Sequence, residues 1–310
     1  MDRKLVVIHR KTRFQELVER YNSADQAQYY VESLGENFED YQKEQTTQVG
    51  AIVRLKEILE SLNLRFHFVE RRFLANYLFA KDDLVLVLGQ DGLVANTLKY
   101  LDGQAVVGIN PDPQRWQGKL LPFLIEDMSG LLPGCLESWS HYTEVTMAEA
   151  HLNDGQIIKA VNDFYIGVKD HSSFRYSLCA GGVEERQSSS GVLVSAPLGG
   201  SAWLTSVLTG ARQVMSHFTE IPKMSFDLFH SWSEKKLVYS VREPFPSLYS
   251  QAEHTFGEIF DEQKLQIKSE TPHNAVIFSD GIQDDFLEFG SGMVVEIGIS
   301  KTRGLLVGQI

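Results

Sequence analysis

The sequence predicts an α/β domain with a parallel sheet, followed by a mainly β, sandwich-like domain, and three observations carry that reading. Leu84-Val85-Leu86-Val87-Leu88 is an unbroken apolar run ending in Gly89-Gln90-Asp91-Gly92, the pattern of a parallel strand buried on both faces. Through the first third of the chain, short apolar runs alternate with segments of helical spacing, which indicates layers of helix on a sheet. Beyond about residue 130 the helical period gives way to short runs separated by turn residues, the pattern of an all-β domain. The expected division is an α/β domain over 1–130 and a β-rich domain over 131–310, with the join near Ser129–Gly134 and the last residues left free to pack back on the first domain.

Val6-Val7-Ile8 reads as the first strand, and Phe14, Leu17, Val18 and Tyr21 follow at helical spacing. A polar helical insertion carries Tyr29, Tyr30 and Leu34, and Val49, Ile52, Leu55, Ile58, Leu59 and Leu62 mark one apolar helical face. Phe66–Val69 is the next strand, then Leu84–Leu88, a helix over Leu93–Leu98 and a strand ending in Val106–Ile109. In the second half, Val145–Leu152 and Gln156–Val161 flank Asn153-Asp154-Gly155, a strong hairpin signal. Phe174–Cys179 and the residues from Val183 onward form a second hairpin around Gly181-Gly182. Further strands are expected at Lys236–Val241, Gln266–Ser269, Ala275–Ser279, Met293–Ser300 and Leu305–Val307, with one helix over Thr205–Phe218.

Composition bounds the partners. A net charge of −12 argues against a nucleic-acid surface, which needs clustered Lys and Arg. No run approaches the roughly 18 apolar residues that span a bilayer, and Met1–Ile8 carries no signal-peptide pattern, so a cytoplasmic protein is expected. Cys135 and Cys179 stand apart without metal-type spacing, and the nine histidines form no His-x-x-x-His pair, so no bound metal site is expected.

The chemistry concentrates where Gly89 and Gly92 bracket Gln90 and Asp91. The carboxyl end of a central strand is where open α/β sheets bind ligands, and glycine lets backbone approach a phosphate or ribose. Asp91 can serve there, or can simply cap the helix that follows. Neither a Gly-x-Gly-x-x-Gly turn nor a Gly-Lys-Ser/Thr P-loop is present. Downstream lie Asn110-Pro111-Asp112-Pro113, then Asn162-Asp163, then Ala196-Pro197-Leu198-Gly199-Gly200-Ser201-Ala202-Trp203, and finally Asp280-Gly281.

In this order the set resembles the NAD kinase family over nearly the whole chain. Asn110–Pro113, Gln187–Gly191 and Ser240-Val241-Arg242-Glu243-Pro244 look most like its mitochondrial-type branch. The resemblance implies an N-terminal nucleotide-binding domain, a C-terminal dinucleotide-binding β-sandwich and a cleft between them. It implies ATP-dependent phosphorylation of the adenosine-ribose 2′-hydroxyl of NAD(H), giving NADP(H), with Mg²⁺ accompanying ATP. Asp91 matches the catalytic aspartate, and Gly89 and Gln90 match the phosphate-donor loop. Gly92, Asn162, Asp163, Ser201, Ala202, Trp203 and Ser206 match dinucleotide-binding positions. The late Asp280-Gly281 also matches, although Asp-Gly between strands is the ordinary hairpin turn. A homodimer or higher homo-oligomer is expected.

The departures are Gln90 for a loop glycine, Leu93 for the usual threonine, and the loss of hydroxyls over Ala196–Gly200. A residue with a Cβ at position 90 would resist positive φ and crowd the donor. Two further readings therefore stay open: a catalytically weak NAD(P)-binding sensor, and a lipid kinase-like enzyme. The donor, ATP or polyphosphate, is likewise open.

Overall fold

The computed structural model describes residues 3–138, 141–220 and 226–308. The chain divides into two compact units, Met1–Thr143 with Leu305–Ile310, and Glu144–Gly304.

In the first unit β1 (Leu5–His9) leads to α1 (Arg13–Tyr21), α2 (Ala24–Ser33) and α3 (Phe38–Ser61); then come β2 (Phe66–Glu70), β3 (Leu84–Leu88), α4 (Asp91–Leu98), β4 (Ala105–Ile109) and α5 (Met128–Ser138). The strands are parallel in the order β2-β1-β3-β4, and Leu305 and Leu306 add a parallel edge beside Ala105 and Val106 of β4. Every residue of β3 is buried, as its unbroken apolar run requires. The core gathers Leu5, Leu55, Leu59, Leu86, Val107, Met128, Leu132 and Val307. Local chemistry sets the helix starts: Thr12 and Gln15 form a reciprocal capping box at α1, and Ser23 and Asn37 cap α2 and α3.

In α2 Ala27 and Val31 are buried and Tyr30 packs beside them, while Tyr29 and Leu34 are exposed. One sequence reading changes here. Ser129–Gly134 lies inside α5, with Pro133 within the helix. Its Met128, Leu132 and Cys135 are drawn into the first unit's core, so the glycines and proline do not act as a linker.

The second unit runs through β5 (Tyr142–Leu152), β6 (Ile157–Ala160), β7 (Asp163–Val168), β8 (Phe174–Ala180), β9 (Val183–Ser189), β10 (Val192–Ser195) and α6 (Trp203–Ser216). It continues through β11 (Lys236–Val241), β12 (Phe256–Phe260), β13 (Leu265–Ser269), β14 (Ala275–Ser279), β15 (Ile282–Glu288) and β16 (Val294–Val307), whose last residues belong to the first unit. One antiparallel sheet has the order β12-β11-β10-β7-β14-β15. In the other, β16, β13, β8 and β9 are successive antiparallel neighbours, and β5 pairs with β16 and β6. Phe164, Ile166, Val194 and Ile277 of the first sheet pack with Phe174, Tyr176, Ile267 and Val295 of the second, so the sandwich is real. The strands β7, β10, β12 and β15 were not anticipated from the sequence. Short strands carry too few residues for a period of two to declare itself.

Candidate functional site

In the first unit the end of β3 runs through Gly89 into Gln90, which is the N-cap of α4 with φ −127° and ψ 165°. This is ordinary extended backbone, so the expected strain at Gln90 does not arise. Asp91 opens α4, and its carboxylate accepts the Leu120 backbone N–H at 2.7 Å. A Cβ on Gly108 would fall 2.0 Å from the Leu120 carbonyl oxygen, which explains glycine at that position. Asn110 accepts the Asp112 N–H at 3.0 Å and donates to the Trp116 carbonyl at 3.0 Å. Asp91 thus stands at the start of a helix, where its charge is favoured by the helix dipole, and also tethers the loop after β4. From that loop Arg115 reaches Asp40 at 2.6 Å, and Asp40 also pairs with Arg13 at 2.7 Å. The two guanidinium groups hold the Asp40 carboxyl well below its ordinary range. Gly92 is exposed, has no positive φ, and a Cβ there would meet nothing within 4 Å. The unit's own packing gives no reason for a missing side chain at Gly92.

In the second unit Asn162 and Asp163 sit where β7 begins. Asp280 and Gly281 both adopt the left-handed conformation, with φ of 53° and 69°, and form the two-residue turn between β14 and β15 that the sequence suggests. The turn does more than reverse the chain. The Asp280 carboxylate accepts backbone N–H groups from Val161, Asn162 and Asp163, the shortest at 2.6 Å to Asn162. Its own N–H donates to the Asp163 carbonyl at 3.0 Å. The Asn162 carbonyl in turn accepts the Ala196 N–H at 2.8 Å, and a Cβ on Gly199 would lie 2.0 Å from the Asn162 carbonyl oxygen. The Asn-Asp segment is therefore held from both sides by backbone.

Asp163 is only 7% exposed. Burial first, and the adjacent Asp280 charge second, push its carboxyl up to about 7. Directly across the sheet from it lies Ser195, whose hydroxyl is buried and has no hydrogen-bond partner among the described residues. Paired residues project to one face, so the unpartnered Ser195 hydroxyl lies beside the Asp163 carboxyl.

Asp163 lines a concavity of about 310 Å³ together with Tyr165, Lys169, Trp203, Arg242, Phe278 and Gly281. Tyr165 is central to its wall. The ring stacks on Trp203 at 5.7 Å between centroids and on Phe278 at 6.2 Å, both at 20°. The Arg242 guanidinium carbon lies 5.2 Å from the Trp203 ring centre and 5.9 Å from that of Tyr165. Trp203, the first residue of α6, is partly buried against the cluster of Leu193, Leu204 and Val238, so its indole is half core and half pocket wall. The pocket combines flat apolar walls, the cations Lys169 and Arg242, the buried Asp163 carboxyl and the exposed carboxylate of Asp170, a set that can hold a planar ring and a polar group attached to it.

The other anticipated residues of this unit fall elsewhere. Ser201 lines a separate concavity of about 410 Å³ with Pro197, Thr205 and the segment from Phe226 to Trp232. Ala202 and Ser206 are exposed, and Ala202 is the N-cap of α6. Sequence reasoning did not assign Tyr165, Lys169, Arg242 or Phe278. Arg242 lay within a segment noted only as a likeness, and the other three carried no signal because their proximity depends on strand pairing. Among the described residues, no group of three or more His, Cys, Asp or Glu is placed to hold a metal ion, and no helix is long and apolar enough to cross a membrane.

No protein-family model matches the sequence, and no curated protein matches it. Solved structures do. An NAD kinase from Archaeoglobus fulgidus in complex with ATP aligns over 98% of this chain and 93% of its own, at 15% identity and a TM-score of 0.59. Yeast NADH kinase complexed with NADH aligns over 100% of this chain and 84% of its own, also at 15% identity and a TM-score of 0.59. Identity at this level speaks to the fold alone, and this chain has the fold of the NAD kinases.

Proposed function

We propose that the chain phosphorylates NAD(H) on the adenosine-ribose 2′-hydroxyl, with ATP as donor and Mg²⁺ arriving with the ATP. The observation that carries this reading is the pocket around Asp163, Tyr165 and Trp203, beside which the Asp280 carboxylate holds the backbone of Asn162 and Asp163. A nucleoside has the matching chemistry: a planar base for the aromatic wall and ribose hydroxyls for the carboxyl. In this reading Asp163 and Trp203 bind the dinucleotide directly, while Asn162, Ser201, Ala202 and Ser206, which do not line this pocket, are assigned to it by the resemblance alone. Asp91 is the group that orients and deprotonates the acceptor hydroxyl, since phosphoryl transfer depends chiefly on alignment and charge stabilisation. Exposed Gly92 and unstrained Gln90 leave the donor loop open to phosphate. The test is direct: purified protein incubated with NAD or NADH, ATP and Mg²⁺ forms NADP or NADPH, and Asp91→Asn does not. Absence of product with retained NAD binding overturns the kinase reading.

A second reading, the NAD(P)-binding sensor of low turnover, draws on the Gln90 side chain and on Ala196–Gly200, which lacks hydroxyls. Comparing wild type with Gln90→Gly separates the two. A glycine variant that gains turnover over an inert wild type supports the sensor, and equal turnover supports the kinase.

A further inference from the structure

A third concavity of the second unit, about 470 Å³ in volume, lies on β8, β9 and the loop after β11; its lining includes Arg175, Arg186, Ser188, Phe245 and Tyr249. None of these residues lines the Trp203 pocket. Arg175 of β8 stands opposite Ser188 of β9, and Ser177 opposite Arg186, so all four project from one face of the hairpin. The intervening Phe174, Tyr176 and Leu178 enter the core on the other face. Arg175 and Arg186 are therefore diagonal neighbours, about 7–8 Å apart along the backbone, within reach of one small anion between their side chains.

Their charges are not equally balanced. Arg186 pairs with Glu270 at 2.7 Å, and Ser177 donates to the same carboxylate at 3.3 Å. The Arg175 guanidinium has no ion pair or side-chain hydrogen bond among the described residues. On a chain of net charge −12, a guanidinium without a carboxylate at the wall of a cavity is a vacant anion donor set. The opposite wall is aromatic: Phe245 is 65% and Tyr249 77% exposed. The backbone that carries these rings is held by hydrogen bonds. Phe245 donates its N–H to the Ser188 carbonyl at 2.8 Å, Gln251 donates to the Arg186 carbonyl at 2.8 Å, and Ser250 Oγ donates to the Phe245 carbonyl at 2.7 Å. A planar guanidinium fork suits phosphate, and an exposed aromatic ring suits a base.

We propose that this concavity is a second ligand site for a small phosphorylated molecule carrying an aromatic base, of the nucleoside monophosphate class. The phosphate lies on Arg175, with Arg186 beside it still paired to Glu270, and the base lies on Tyr249 and Phe245. The site is independent of the dinucleotide pocket and holds whether or not the chain is a kinase.

The experiment is calorimetric titration of the intact protein with AMP, ribose 5-phosphate and inorganic phosphate at fixed ionic strength, in a Trp203→Ala background so that the other pocket does not bind the base. AMP binds best. Arg175→Gln weakens all three probes by at least about tenfold, the loss of one charged hydrogen-bonding partner. Tyr249→Ala weakens AMP several-fold and leaves inorganic phosphate unchanged. Both residues are exposed, and unchanged thermal unfolding of the variants shows that folding is intact; Arg175→Lys, which keeps the charge, restores part of the phosphate affinity. No AMP binding at millimolar concentration overturns the proposal, as does binding indifferent to Arg175→Gln or equal affinity for AMP and inorganic phosphate.

Discussion

Asp163→Asn isolates the cost of burying one carboxyl beside another. Burial and the Asp280 charge raise Asp163 from 3.8 to about 7, about three pK units, equivalent to about 4 kcal/mol at 1.36 kcal/mol per unit. The sign follows from proton counting. Between pH 3.8 and 7 the folded chain keeps this proton and the unfolded chain has lost it, so stability falls as pH rises. The contribution is full below 3.8 and is gone above 7. Asparagine has nearly the same shape and no proton to lose, so the variant escapes this loss. Its stability advantage over wild type grows by about 2.5 kcal/mol between pH 5 and pH 8. Urea unfolding of both proteins at pH 5, 6.5 and 8, followed by far-UV circular dichroism, measures that difference. An advantage that stays constant with pH refutes the reasoning, because Asp163 would then titrate at its ordinary value. Asp280→Asn supplies the complementary perturbation. It removes the neighbouring charge, so in that variant the upper end of the window over which stability falls moves below about 7.

Asp91→Asn keeps an oxygen for the Leu120 N–H, so its stability changes by less than about 1 kcal/mol while turnover of NAD to NADP falls at least about 100-fold; parallel thermal unfolding and product assays check both halves. Trp203→Ala removes the stack on Tyr165 and the ring beside Arg242, costing about 2 kcal/mol. It also abolishes most of the tryptophan fluorescence change on adding NAD, and a change that survives marks Trp203 as core only. Gly108→Ala places a Cβ against the Leu120 carbonyl and destabilises the first unit by about 1–3 kcal/mol, read from the urea midpoint. An unchanged midpoint would show that the loop after β4 yields without cost.

What the sequence determined by itself was decided by composition and period. The run Leu84–Leu88 has no polar residue to place on a solvent face, so it can only be a strand buried on both sides. The Asp154-Gly155 and Gly181-Gly182 hairpins were legible because left-handed backbone selects glycine, and Gly155, Gly181 and Gly182 all have positive φ. Asp91, Asn162, Asp163 and Trp203 were visible through a resemblance of ordered short motifs. Tertiary structure decided which of them meet. Asp280 reads locally as one half of a turn, and only the pairing of β14 with β7 brings its carboxylate to three backbone N–H groups 117 or more residues away in sequence. Tyr165 lies in β7, Phe278 in β14 and Arg242 just after β11, and no spacing along the chain encodes their contact. Gln90 shows the converse: its type suggested strain, but φ is set by how α4 leaves β3, and the extended conformation it adopts is open to any residue. Local chemistry is written in neighbouring residues, whereas a pocket is assembled by hydrogen-bond register between distant strands, which the sequence carries only through the packing it makes possible.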